Sequence, residues 1–233
     1  MRPSVAPVVP AGSLSGFPQP SLMSSDEALL LRPWRNDDAV VLQGAYQDAT
    51  IRRWSLRRMP SRAAAEEWIA DAGRQWQEER GAQWAVTDAD GGQIVGRVAL
   101  RSMDLFVGLA ECAYWVLPEL RGHGVAPRSL ATLSDWALEH VHFHRLELAH
   151  SVRNHASCRV ADKTGFGFEG VRRSSVRHAD GWHDMHLHAR AQGDADPVVR
   201  HEESCPERSD QSRGPNASRP GRARSGTAAR PAH

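Results

Sequence analysis

The stretch from residue 109 to residue 141 constrains the fold of this chain more than any other. An apolar, strand-like run over residues 109–117 is closed by Pro118. Arg121-Gly122-His123-Gly124-Val125-Ala126 then makes a glycine-bearing loop, and Pro127 stands where a first helical turn tolerates proline. Beyond it Ala126, Leu130, Leu133, Ala137 and Val141 recur at helical spacing, so they form one buried stripe. A strand, a glycine loop and a helix start together suit an anion. Glycines let the backbone approach closely, and the first helical N–H groups are unpaired donors at the positive end of the helix dipole. Such turns also arise for purely steric reasons, so the setting must decide. A Walker-type loop is excluded because the only lysine, Lys163, is remote. A dinucleotide fingerprint fails because Val125, Ala126 and Pro127 follow Gly124, leaving no third glycine.

Around this segment the hydrophobic period switches between about 2 and about 3.6 residues, which predicts a mixed α/β domain. Strands are expected at 29–32, 84–87, 94–101, 109–117, 145–152, 171–178 and 182–189. The turn-rich links at 88–92 and 179–181 suit antiparallel neighbours. Helices are expected from Asp37 with Asn36 as cap, from Ser61 towards Glu79, through the loop-proximal stripe, and after Asn154, with Gly165 closing the last. All eight tryptophans lie between Trp34 and Trp182, which places the core there. Residues 1–25 are rich in Pro, Ser and Ala and carry no acid, so they are expected to be a disordered leader. Met23 is an alternative start. Residues 192–233 read as a solvated tail, leaving residues 26–191 as the folded domain.

A formal net charge of +1 removes the bulk-electrostatic argument for nucleic acid or an anionic membrane. An arginine-bearing tail is the one feature that would favour RNA. Only one of the 29 basic residues is lysine, so arginine is a chain-wide bias and its presence alone says little about phosphate. Cys112, Cys158 and Cys205 are odd in number and lack C-x-x-C spacing, so neither a disulfide framework nor a thiolate metal site is indicated. With no apolar run of about 18 residues, the expectation is a cytoplasmic protein without a membrane partner.

Read as Arg121-x-x-Gly124-x-Ala126, the loop resembles the acetyl-coenzyme A motif of the GNAT superfamily, Gln/Arg-x-x-Gly-x-Gly/Ala. Ala110-Glu111-Cys112-Ala113-Tyr114-Trp115-Val116 precede it. Asn154-His155-Ala156-Ser157, Lys163-Thr164-Gly165-Phe166 and Glu169-Gly170 follow it, in the order of the RimJ/RimL-like branch, over about residues 28–190. The resemblance implies the GNAT acyltransferase fold, a mixed and mostly antiparallel central sheet flanked by helices. It also implies direct acetyl transfer from acetyl-coenzyme A to a primary amine, either a protein N-terminal α-amine or a small molecule. Backbone groups of Gly122, His123, Gly124, Val125 and Ala126, with Arg121, would hold the pyrophosphate. Tyr114, Trp115, Val116 and Leu117 would pair with the pantetheine arm in the gap between splayed strands, and Asn154 would hydrogen-bond the same arm. Residues 34–76 would form part of the acceptor wall, with Trp54, Arg52-Arg53 and Arg57-Arg58 near it. A homodimer is left open.

An α-amine with a pKa of about 7.7–8.0 must lose a proton before it attacks, so a base is needed. Glu111 is the candidate, although a salt-bridged strand residue fits it equally; His150 and Asp104 are weaker substitutes. The departing thiolate benefits from an acid, which in many superfamily members is a tyrosine beyond the asparagine. That position is Ala161 here, leaving Ser157 as the candidate, otherwise an ordinary helix-start residue. His178, His183, His186 and His188 lack a carboxylate–histidine helix motif, so no metal is expected and acceptor lining or exposure is preferred. Cys158 reads as a small packing residue. The alternative from another class is a degenerate GNAT domain that binds coenzyme A for sensing or assembly.

Overall fold

In the computed structural model residues 5–194 are described. Eight strands make one sheet: β1 (Leu22–Met23), β2 (Leu29–Pro33), β3 (Ala82–Asp88), β4 (Ile94–Asp104), β5 (Leu109–Val116), β6 (Arg145–Ser151), β7 (Gly167–His178) and β8 (Gly181–Ala191). Their order across the sheet is β1-β2-β3-β4-β5-β6-β8-β7. Every neighbouring pair is antiparallel except β5 with β6. The helices are α1 (Ala39–Ala45), α2 (Ala49–Trp54), α3 (Arg62–Gln77), α4 (Val125–Asp135) and α5 (His155–Lys163). The mixed α/β class and the mostly antiparallel sheet are as expected. Among the described residues no helix is long and apolar enough to cross a membrane.

Side-chain alternation divides the core. On β3, Trp84 and Val86 join one cluster with Leu130 and Leu133 of α4 and Leu146 and Leu148 of β6. Ala85 between them joins a second cluster with Leu42, Ile51, Trp68, Ile69 and Trp115. Successive strand residues point to opposite faces, so α4 and α1–α3 cover opposite sides of the sheet.

Several local expectations differ from the structure. Asn36 does not cap a helix from Asp37; Asn36–Asp38 is a 3-10 turn, because the buried Asp38 carboxylate is occupied by the Arg32 guanidinium (2.8 and 2.9 Å) and the Arg35 N–H (2.7 Å). Helix α2 lies outside the expected set. It is one short turn capped by Asp48, whose Oδ1 accepts from the Ile51 N–H at 2.9 Å. Of the expected stripe Leu130, Leu133 and Ala137 are buried, but Ala126 is half-buried with Val125 buried in its place, and Trp136–His140 widens into a π turn that buries Leu138 and leaves Val141 half-buried.

The largest correction concerns the leader. Residues 5–25 are packed, with Val9 and Leu14 fully or almost fully buried in the main core. The backbone of Val8 and Val9 hydrogen-bonds to Phe106 and Leu105. Glu79 accepts from the N–H groups of Gly12, Leu14 and Ser15 at 2.8, 2.8 and 3.0 Å, and the indoles of Trp76 and Trp84 donate to Phe17 O and Pro20 O. The segment lies so close that a Cβ on Gly108 would meet Val8 Cγ1 at 2.5 Å. Its order comes from partners elsewhere in the chain, which its own composition does not reveal. At the other end, residues 192–194 still belong to the fold, with the Gln192 N–H on His144 O. The remainder of the expected tail lies outside the described residues.

Candidate active site

The site begins where β5 and β6 part. They pair in parallel only at Leu109–Arg145, Ala110–Leu146 and Glu111–Glu147, whereas β5 stays paired to β4 through Val116 and β6 to β8 through Ser151. The two strands therefore diverge beyond Glu111, opening a wedge whose main-chain groups on the β5 side run from Cys112 to Val116. Beyond it the Leu117 N–H is bonded to Val95 O, and the Leu117 carbonyl accepts from the Leu120 N–H. The Trp115 ring is buried in the second cluster, and its backbone is paired with Arg97 of β4.

The expected loop lies between the end of β5 and the start of α4. Gly122 and Gly124 take φ of +85° and +76°, and Gly124 is the N-cap of α4. These left-handed values suit glycine, and the first N–H groups of a helix are those without an intrahelical partner. Arg121, Gly122 and His123 are exposed and Val125 is buried beneath them. Arg128, which no sequence motif singled out, fastens the loop from behind: it donates to His123 O (2.8 Å) and Gly124 O (3.2 Å) and pairs with Asp26 (2.8 Å). Its position four residues after Gly124, on the same helical face, was the available signal. Arg121 turns elsewhere. Its Nε donates to Val116 O at 3.2 Å and its Nη2 to Asp48 Oδ1 at 2.7 Å. Burial works against the Asp48 charge, but the bonds from Arg121 and the Ile51 N–H hold its pKa below the usual value.

Across the wedge the Tyr114 hydroxyl donates to Ser157 Oγ at 3.0 Å. Burial pushes the Tyr114 pKa up to about 12, so the phenol stays protonated and Ser157 keeps its own hydrogen to give away. Asn154 caps α5, with Oδ1 accepting from the Ser157 N–H at 3.4 Å, and so fixes that serine. Ala161, at the position of the common tyrosine, is fully buried.

Glu111 stands at the point of divergence, its Oε1 accepting from Arg101 Nη2 at 2.5 Å. By alternation it shares a face with Ala113 and Trp115 and, on β4, with Arg97 and Arg101, the side covered by α1–α3. Arg97 is buried beneath this surface. Burial draws its pKa down to about 10, Gln83 Oε1 accepts from it, and its guanidinium lies 5.6 Å from the Trp68 ring. Neither substitute base is suitably placed, since the Asp104 carboxylate accepts the N–H groups of Phe106 and Val107 in a turn, and His150 faces the α5 side with Leu146 and Leu148.

The histidines divide in a way their sequence spacing concealed. His183 and His178 pack together (4.3 Å between ring centroids) against Trp54 of α2. There His183 links Ser151 Oγ (2.8 Å) to Asp180 Oδ1 (2.7 Å), a hydrogen-bonded chain that sequence reasoning missed because its members come from β6, β8 and the turn before it. His186 and His188 point to the other face, where they meet His150 and Cys158. Cys158 is disulfide-bonded, which corrects the reading that no disulfide is indicated: an odd cysteine count does not forbid one pair. Cys112 is free and buried, and Cys205 lies outside the described residues.

The family model described as "Acetyltransferase (GNAT) domain" matches residues 28–167. The chain is 26% identical over 148 residues to the "Uncharacterized N-acetyltransferase YoaA" of Bacillus subtilis (strain 168), covering 63% of this chain and 84% of that one. Among solved structures it is similar to the RimL ribosomal L7/L12 alpha-N-protein acetyltransferase in complex with coenzyme A, with a TM-score of 0.69 and 18% identity, over 74% of this chain and 98% of that one. The microcin C7 self-immunity acetyltransferase MccE, in complex with acetyl-CoA and AMP, matches with a TM-score of 0.65 and 16% identity, over 70% and 92% of the two chains.

Proposed function

Since this chain belongs to the GNAT acetyltransferase family, we propose that it uses acetyl-coenzyme A to acetylate the α-amine of a protein N-terminus by direct transfer. The observation that carries the reading is the wedge between β5 and β6, which opens at Glu111 and leads to the positive-φ glycines at the start of α4. The loop of Gly122 to Ala126 would receive the pyrophosphate, and the β5 edge as far as Val116 would pair with the pantetheine arm. Glu111 would take the ammonium proton, directly or through water. The amine then attacks the thioester carbonyl, and the C–S bond breaks as the amide forms. Ser157 gives its hydroxyl hydrogen to the departing thiolate and is reprotonated through water by the proton that the amide nitrogen loses, while the Tyr114 phenol stays protonated and holds the serine in place. A protein acceptor is favoured by neighbours such as RimL, whose described activity is on a ribosomal protein. Arg101 on the Glu111 side of the sheet, with Arg57 close enough to act electrostatically on the buried Arg97 and with Arg52, Arg53 and Arg58 exposed, favours an acceptor bearing acidic residues.

The test is thiol release from acetyl-coenzyme A with N-terminal peptides carrying acidic or basic second and third residues, alongside small amines. Acceptor-dependent turnover that prefers the acidic peptides, and that falls about 10²-fold or more in both Glu111→Gln and Ser157→Ala, supports these roles. Tight coenzyme A binding with no turnover on any amine would replace this reading with that of a non-catalytic coenzyme A-binding domain.

A further inference from the structure

On the α5 face of the sheet, His150 of β6, His186 and His188 of β8 and Cys158 of α5 are all buried. Each offers one ligand atom, and these four atoms lie within 4.8 Å of one another. Two contacts define the arrangement: His150 Nε2 to His188 Nε2 at 3.2 Å, and Cys158 Sγ to His186 Nδ1 at 3.4 Å. In a tetrahedron with metal–nitrogen bonds of about 2.0–2.1 Å and a metal–sulfur bond of about 2.3 Å, the edges are about 3.3 Å (N···N) and about 3.6 Å (N···S). The two observed contacts match two opposite edges of such a polyhedron.

Hydrogen bonds behind the rings fix their tautomers. His150 Nδ1 faces Ser151 O at 2.9 Å, and His188 Nδ1 faces Phe166 O at 3.3 Å. A carbonyl only accepts, so each Nδ1 carries the hydrogen and each Nε2 presents a lone pair. Two lone pairs thus point at one another across 3.2 Å in the interior, an arrangement that repels unless a cation lies between them. A shared proton would create a buried imidazolium, and among the described residues no carboxylate hydrogen-bonds to either ring. Both rings are buried, which opposes that charge. Carbonyl groups that hold the tautomer from behind are also the outer support that metal-binding imidazoles have.

We propose that His150, His186 and His188 form a buried site for a zinc-type divalent cation, with the Cys158 sulfur as fourth ligand once its disulfide is reduced. The site joins β6 and β8 to the first turn of α5, one residue beyond Ser157. Sequence spacing alone does not point to a metal here, because two of the four positions lie outside the β7–β8 hairpin. A phosphine reductant supplies the two electrons that open the disulfide, becoming the phosphine oxide with oxygen from water, and the two sulfurs take up protons. Zinc then displaces the proton from Cys158.

Zinc binding to the full-length, phosphine-reduced protein is measured by equilibrium dialysis with elemental analysis, for wild type, His150→Asn, His188→Asn and the double variant. Asparagine keeps a donor for the carbonyl behind each ring while removing Nε2, and circular dichroism checks that each variant is folded. The expected result is one equivalent per chain in the wild type, at least tenfold weaker binding in each single variant, and a melting temperature raised by about 5–10 °C in wild type alone at a zinc concentration 100 times Kd. Cobalt substitution should give a thiolate charge-transfer band that Cys158→Ser removes. Equal zinc binding by folded wild type and the double variant overturns the site, and a band that survives Cys158→Ser overturns the fourth ligand.

Discussion

Gly124→Ala separates the binding role of the α4 loop from its role in folding. Gly124 has φ of +76°, and a Cβ added there meets nothing nearer than Arg128 Nε at 3.7 Å, an ordinary contact. The folded state therefore faces only the left-handed strain of a non-glycine residue, about 1–2 kcal/mol. For a chain of this size that lowers the melting temperature by about 2–8 °C. Coenzyme A binding should suffer more. Relief of the strain rotates the peptide planes on either side, and these carry the N–H groups assigned to the pyrophosphate. Losing one hydrogen bond to a charged group, about 1.5–3 kcal/mol, weakens binding about 10- to 150-fold. Gly193→Ala is the control, since Gly193 has φ of +84°, nothing within 4 Å of an added Cβ, and lies past the end of β8. Calorimetric titration with coenzyme A, paired with thermal melts, should show similar stability losses in the two variants but weakened binding only in Gly124→Ala. If both bind coenzyme A within twofold of wild type, the loop does not hold the phosphates.

Two further predictions concern stability. Ser157→Ala removes the acceptor and Tyr114→Phe the donor of one hydrogen bond between two half-buried side chains, so each should cost about 1 kcal/mol; losses in urea denaturation that simply add in the double variant would show that this bond is not made. Desolvation raises the Glu79 pKa, but the three N–H groups of the N-terminal segment outweigh it and the folded value is lowered, so the stability Glu79 contributes is present above the unfolded pKa of about 4.3 and is lost as pH falls through the folded value. Glu79→Gln should accordingly destabilise by about 1–2 kcal/mol at pH 7, with the gap to wild type closing below pH 4 in urea titrations; a gap that is constant with pH would remove the carboxylate from the account.

What the sequence disclosed and what it hid follow from the range over which each feature is determined. Helix α4, the strands around it and the cap at Asn154 were legible because their signals lie within a dozen residues of themselves: Pro118, the two glycines, the four-three-four spacing, and an asparagine ahead of a short polar run. The order of residues 5–25 was not legible, because Val9 is held by Leu105, Leu14 by Glu79 and Pro20 by Trp84, all more than sixty residues later. Helix α2 escaped because one turn bearing two arginines has no apolar period to detect. At the site, Glu111 and Ser157 were found as single candidates, but Tyr114 as the partner of Ser157, Arg128 behind the loop, and the Ser151–His183–Asp180 chain appear only once strands distant in sequence are paired. The histidine cluster is the sharpest case: β8 places His186 and His188 on one face, as alternation requires, but the register of β6 against β8 is what puts His150 directly opposite His186.

Arg121 spans the two halves of the site, reaching the end of β5 through Val116 O and the cap of α2 through Asp48. A guanidinium that turned towards an anion in the loop would have to release Asp48, and α2 carries Trp54 beside His178 and His183. Any ligand that recruits Arg121 therefore shifts the free energy of the opposite wall. Because such linkage is reciprocal, an occupant of that wall that strengthens or weakens the Arg121–Asp48 pair must change the affinity for the anion by the same factor. One side chain thus couples the two walls by a single free energy that is the same whichever wall is occupied first.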